Sequence, residues 1–272
     1  MYTIIDANNS LNLKTKEYEP ETRTRLAPGF DGDQLDKGHC VQWMWNTDKL
    51  GLIRVEQAAG MGTSPREGFV FHDNRVEIEY LLDSVCDLSY PDGTHIEFLP
   101  GDCLCHAVGQ PHRMETVAPR HMEIAVFLNG SLDGCSRTHF DPRRHKETGW
   151  QVKRCAELPG AEWNDPLVDV KIVYEEDGIS FAEFILQPGA QIPPRDFARN
   201  NNADEIVLVR SGRGLAIYPD QSYPLYADVT AYNEAGQLYK YVNTGTENLV
   251  LLCCFSAGSL KEIGYQEVKL NS

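Results

Sequence analysis

Basic residues are scarce in this sequence: 25 Lys and Arg stand against 40 Asp and Glu, a formal net charge of −15. A chain this acidic repels a phosphate backbone, and its two short basic clusters, Arg23–Arg25 and Pro142–Lys146, are isolated, so nucleic acid is not an expected partner. No apolar run reaches the ~18 residues that a membrane-spanning helix needs, which argues against a membrane partner. The opening MYTIIDANNSLNLKTKEYEP has neither a basic n-region nor an apolar h-region, and the expected location is the cytoplasm. Cysteine is too sparse for a disulfide scaffold: there are eight in 272 residues, the only close pairs being Cys103/Cys105 and Cys253/Cys254, and all eight read as reduced. Helix signals are few as well. The stretch 150–163 holds at most one helical turn and, punctuated by Pro159, Gly160 and Pro166, reads as a linker.

What the chain does have is strands. GLIRVEQ (51–57), EIEYLLDS (77–84), THIEFL (94–99), HMEIAVFL (121–128), VKIVYE (170–175), ISFAEFIL (179–186), EIVLVRS (205–211), GLAIYP (214–219) and NLVLLCCF (248–255) are short apolar runs rich in β-branched or aromatic residues. Each is bounded by Gly, Pro, Asn or Asp, the pattern of an all-β sandwich or barrel. The runs also repeat. Residues 51–66 align with 178–195, sharing Glu56/Glu183 and a Gly-x4-Pro-Arg ending at Arg66/Arg195, then 77–84 with 205–212, then 116–127 with 243–254. Three matches in the same order mark two copies of one β unit. The reading is an N-terminal extension (1–40), a first barrel (41–135), a linker (136–164) and a second barrel (165–272).

Two segments of the first copy carry chemistry. VFHDNRVEIEYLLDS sets His72 five residues ahead of Glu77, and LPGDCLCHAVGQPHRME joins a Leu99-Pro100-Gly101-Asp102 turn to a Pro-His at His112. Together they resemble the two motifs of the cupin superfamily. The resemblance implies an all-β fold of two tandem cupin (double-stranded β-helix, jelly-roll) barrels, with His72, Glu77 and His112 as metal ligands. Val70 stands where the family pattern has a further histidine. Glu79 shares the strand face of Glu77 and is the alternative carboxylate ligand if the register shifts by two.

Two imidazoles and one carboxylate on one face suit a divalent metal and leave open positions for O₂ or substrate, as in non-heme Fe(II) oxygenases. By similarity to three-ligand cupins, the expected function is an Fe(II) oxygenase or dioxygenase acting on a small organic molecule with O₂ as co-substrate. Mn, Ni or Zn in a non-oxidative isomerase, lyase, decarboxylase or hydrolase is the alternative, and a small-molecule-binding cupin without turnover is another. His106 and Tyr80 are candidates for acid/base or hydrogen-bonding groups. Arg66 and Arg113 are candidates to clamp an anionic substrate, with the repeat favouring Arg113 because the second copy also keeps its Pro-Arg. Trp43, in line with Trp45 on one strand face, is a candidate substrate wall or core residue. In the second copy His72 falls on Asn200 and His112 near Tyr239, leaving Glu205 as the one ligand type and a lapsed metal site. The edge strands of such barrels offer a route to a homodimer.

Overall fold

The computed structural model describes residues 1–7, 11–15, 39–57, 68–116, 122–131, 133, 135, 138–145, 150–176 and 178–269. They form two compact units, one comprising residues 21–157 and the other residues 1–20 with 158–272. Among the described residues no helix is long and apolar enough to cross a membrane.

In the first of these units the strands are β3 (His39–Asn46), β4 (Gly51–Gln57), β5 (Val70–Phe71), β6 (Glu77–Asp83), β7 (Cys86–Ser89), β8 (His95–Phe98), β9 (Asp102–His106), β10 (Arg113–Thr116), β11 (Met122–Leu128), β12 (Thr138–His139) and β13 (Trp150–Arg154). A six-stranded sheet, β13-β9-β6-β11-β4-β3, faces a three-stranded one, β10-β7-β8. Alternate residues of both supply one core: Leu81, Leu104, Ile124 and Val126 from the larger sheet meet Leu88, Phe98 and Met114 from the smaller. The LPGD turn is built as its sequence requires. Gly101 takes φ 92°, where a Cβ would be strained, and its N–H donates to the Leu81 carbonyl at 2.9 Å. Asp102 accepts the Leu99 N–H at 3.0 Å and pairs with Arg154 at 3.1 Å, which fixes the start of β9.

The other unit repeats the plan. Its strands are β1 (Tyr2–Asp6), β2 (Leu11–Asn12), β14 (Val168–Glu176), β15 (Ile179–Leu186), β16 (Gln191–Ile192), β17 (Phe197–Asn200), β18 (Glu205–Ser211), β19 (Gly214–Ile217), β20 (Ser222–Leu225), β21 (Val229–Asn233), β22 (Lys240–Asn243), β23 (Leu249–Phe255) and β24 (Tyr265–Val268). A seven-stranded sheet, β14-β15-β23-β18-β21-β1-β2, faces the four-stranded β16-β22-β19-β20. β6 and β18 have the same burial pattern, and β11 and β23 each pair with them across a register irregularity at the same place.

The segment boundaries fall elsewhere than the repeat suggests. β1 lies at the N-terminus yet pairs along its whole length with β21, so it is part of the second β unit and not an extension ahead of the first. β13 occupies the matching place in the first unit, paired with β9 through Trp150↔His106 and Arg154↔Asp102, inside what reads as a linker. β13 forms the edge of its sheet and β1, flanked by β2, extends the other, and neither carries the repeat's Gly and Pro punctuation. The described cysteines Cys86, Cys103, Cys105, Cys135, Cys155, Cys253 and Cys254 are buried and form no disulfide with one another.

Ile4, fully buried in the core of the second unit, tests the place of β1. Ile4→Ala should lower the stability of that unit by about 2–4 kcal/mol in urea denaturation. An unchanged midpoint would contradict the pairing of β1 with β21.

Candidate metal centre

The centre is assembled from four places in the first unit. Glu77 and Glu79 project from one face of β6, and His106 comes from the end of β9, directly opposite Glu77 in the register. His112 lies just before β10, held by reciprocal backbone hydrogen bonds with Val70 at 3.0 and 3.1 Å. His72 follows β5, and its carbonyl accepts the Gly109 N–H at 2.7 Å. Glu77 is the hub: its Oε2 lies 3.5 Å from His72 Nε2, 3.5 Å from His112 Nε2 and 3.8 Å from His106 Nδ1. Glu79 Oε2 is 3.8 Å from the same His106 nitrogen. Donor atoms of Glu77, Glu79, His106 and His112 all lie within 4.8 Å of one another, and all four side chains are buried.

Each imidazole is held from behind. His112 Nδ1 lies 3.1 Å from the Gln110 carbonyl, which can only accept, so that nitrogen carries the hydrogen and Nε2 turns its lone pair on the cluster. His106 Nε2 lies 3.2 Å from the Tyr90 hydroxyl, leaving Nδ1 to face Glu77 and Glu79. His72 Nδ1 lies 3.2 Å from Cys135 Sγ and its Nε2 faces Glu77. The His106 and His112 rings are stacked, with centroids 3.7 Å apart and planes within 5°.

The electrostatics follow from this crowding. Burial drives His112 down to about 3, with His106 alongside adding to the effect, and burial likewise depresses His106; both rings are neutral at physiological pH. Burial opposes the charge on His72 too, but the Glu77 carboxylate and then the Cys135 contact outweigh it and hold this imidazole well above its ordinary value. Glu77 would be raised by burial, yet His72, His106 and His112 hold it well below the usual carboxylate range. The donor set fits a divalent metal: Glu77 Oε2 and His106 Nδ1 are buried without a hydrogen bond among the described residues and face each other across the cluster.

Of the residues singled out in the sequence, His72, Glu77, His106 and His112 are brought together. The others are not. Tyr80 is fully buried on the opposite face of β6, paired with Cys103, because strand alternation turns it away from Glu77 and Glu79. Arg113 lies in regular strand with its neighbour Met114 in the core, so its guanidinium points outward and bonds Glu115 at 3.0 Å. Trp43 packs in the core, and a bulge between it and Trp45 pairs the two with Ile53 and Leu52, on opposite faces of the sheet. Arg66 lies outside the described residues. Sequence reasoning missed Tyr90 and Cys135. Tyr90 had a signal, since Tyr90-Pro91-Asp92 recurs as Tyr218-Pro219-Asp220 in the second copy.

That second copy keeps the framework and changes the donors. Glu205 takes the place of Glu77, Asn233 opposes it in the register as His106 opposes Glu77, and Asn233 Nδ2 donates to Glu205 Oε2 at 2.9 Å. Tyr218 donates to Asn233 Oδ1 at 2.9 Å, and Tyr239 to Asn200 Oδ1 at 3.3 Å. With amides and phenols in place of imidazoles, burial prevails over the hydrogen bonds from Asn233 and Tyr241 and raises Glu205 to about 7.

No family model and no curated protein matches the chain. Solved structures do. An oxalate decarboxylase of Lactobacillus farciminis in complex with formate superposes with a TM-score of 0.63 at 11% identity, covering 86% of this chain and 85% of that one. Bacillus subtilis oxalate decarboxylase, in a study of its Mn(II) centres, superposes with a TM-score of 0.62 at 14% identity over 92% and 82%. These likenesses show that the chain has the cupin fold.

The charge states give two expectations. Glu77→Gln should weaken Mn(II) binding by at least ~100-fold and Glu79→Gln by at most ~10-fold, by isothermal titration, since only Glu77 touches three imidazoles. Equal losses would move the hub to Glu79. In the second unit the folded state holds a proton on Glu205 between the ordinary carboxylate pKa of 4.5 and about 7. Its stability contribution is therefore full below that window and declines as pH rises through it, by on the order of 3 kcal/mol in all. Glu205→Gln should flatten that decline in urea midpoints measured from pH 4.5 to 7.5; parallel curves for parent and variant would show that Glu205 ionises normally.

Proposed function

We propose that the chain is a metal-dependent lyase that decarboxylates a small organic acid at one centre per chain, the metal held by His72, Glu77 and His112 with His106 as a further nitrogen donor. The single observation that carries this reading is the convergence of three rear-anchored, largely buried imidazoles on the Glu77 carboxylate. His106 supplies from β9 the imidazole that the motif lacks at Val70.

A divalent metal held there would supply positive charge as a Lewis acid opposite the substrate's carboxylate. The protein's own part is positioning, exclusion of water and proton handling. Leu81, Leu104 and Ile124 wall the interior with apolar surface, which strengthens electrostatic interactions inside it. Glu79, beside His106 and off the Glu77 hub, is placed to deliver the proton that replaces the lost carboxylate. The Gln110 carbonyl keeps His112 in the tautomer that ligation requires, and the Tyr90 hydroxyl holds the His106 ring in place.

Non-oxidative chemistry is favoured over the Fe(II) oxygenase expected from the sequence because the superposing enzymes are decarboxylases and one is described for its Mn(II) centres. No feature of the site selects iron or O₂. The test is to load the protein with Mn(II) or Fe(II) and follow CO₂ release and O₂ consumption together on a panel of small mono- and dicarboxylic acids, oxalate included. The expected result is CO₂ release without matching O₂ uptake, abolished in His112→Ala and reduced in Glu79→Gln with metal retained. Stoichiometric O₂ consumption would restore the oxygenase reading, and metal binding without turnover of any acid would leave a binding role.

A further inference from the structure

The second unit contains a cavity of ≈ 80 Å³ that is open to solvent at one mouth. Six aromatic side chains line it: Trp163, Phe184, Tyr239, Tyr241, Phe255 and Tyr265. They are locked against one another. Trp163 meets Phe184 and Tyr265 edge-on at 5.4 Å each, and Tyr239 and Tyr241 lie 5.0 Å apart. Glu205 is the one charged side chain on the wall, buried to 3% exposure, and the groups that bond it, Asn233 and Tyr241, are uncharged. The Tyr265 hydroxyl is buried without a hydrogen-bond partner among the described residues.

A buried carboxyl with no cation beside it is costly to ionise, and the faces of aromatic rings carry negative potential. Both features favour a positive charge inside the cavity over an anion. Aromatic walls around one acidic group are the arrangement that recognises alkylated ammonium groups. Size narrows the choice. The cavity is about half the ~150 Å³ that admits a benzene ring, so it takes in one or two methyl groups beside the charged nitrogen, with the rest of the molecule at the mouth.

We propose that this cavity binds a small organic ammonium ion, its head group enclosed by the rings of Trp163, Tyr239, Tyr241 and Tyr265 and its charge set against Glu205. The site is separate from the metal centre and does not rest on the reaction assigned there. The second copy of the unit has thus exchanged imidazole donors for phenols and amides around a retained carboxylate, turning a metal-type site into a cation-binding one.

Choline and its uncharged isostere 3,3-dimethylbutan-1-ol differ in the charge and little else, and titration of both into the full-length, metal-loaded protein decides the point. Choline should bind saturably at one site per chain, at least about tenfold tighter than the isostere. Glu205→Gln should lower choline affinity at least about tenfold while the metal content of the first unit stays unchanged. Leu260→Trp, which enlarges a partly exposed wall residue, should block binding without touching the carboxyl, and it serves if the Glu205 variant does not fold. Equal affinity for choline and the isostere, choline binding that survives either substitution, or no saturable binding of choline or tetramethylammonium would each overturn the proposal.

Discussion

Everything at the metal centre depends on how each imidazole is held on its outer nitrogen. A histidine ring has two nitrogens, and which one offers a lone pair is set by what the other touches. The Gln110 carbonyl, the Tyr90 hydroxyl and the Cys135 sulfur occupy the outer nitrogens of His112, His106 and His72, so the inner nitrogens converge on Glu77. Stacking of His106 on His112 is compatible with this because burial keeps both rings neutral. The one imidazole that burial does not neutralise, His72, lies 3.5 Å from the carboxylate whose charge it compensates.

The second unit shows what the same scaffold does without imidazoles. Glu77 and Glu205 start strands with identical burial patterns, and each faces a polar residue from the neighbouring strand, itself contacted by a tyrosine from a Tyr-Pro-Asp turn. Their ionisation nevertheless runs in opposite directions. Glu77 lies among three histidines, one of them readily charged, and is held low; Glu205 lies among amides and phenols and is raised. Backbone geometry is shared between the copies, so the difference comes from side-chain chemistry at a few matched positions. A fold-level likeness to oxalate decarboxylases is therefore silent on which unit does what, and the assignment rests on the donors.

Much of the fold is legible in the sequence, and the exceptions have physical causes. Strands such as 51–57, 179–186 and 205–211 match the structure because they are short runs of β-branched and aromatic residues bounded by turn residues, and the sheets bury them over nearly their whole length. β9, DCLCH, was passed over: its cysteines and histidine carry no β-branched signature, although it is fully buried and delivers His106. β1 and β13 read as extension and linker in the sequence because membership of a sheet depends on a partner strand that is distant in the chain.

The sequence by itself determined the all-β class, the internal repeat, and the placing of His72, Glu77 and His112 in one unit, because periodicity, turn residues and motif spacing are local properties. Only the tertiary structure decided the rest. Pairing across β6 and β9 put His106 beside Glu77, strand parity sent Tyr80 and Arg113 to the other face, and a bulge separated Trp43 from Trp45. The direction a side chain takes from a strand is fixed by register, register is fixed by which strands meet, and those meetings join residues that the linear sequence keeps apart.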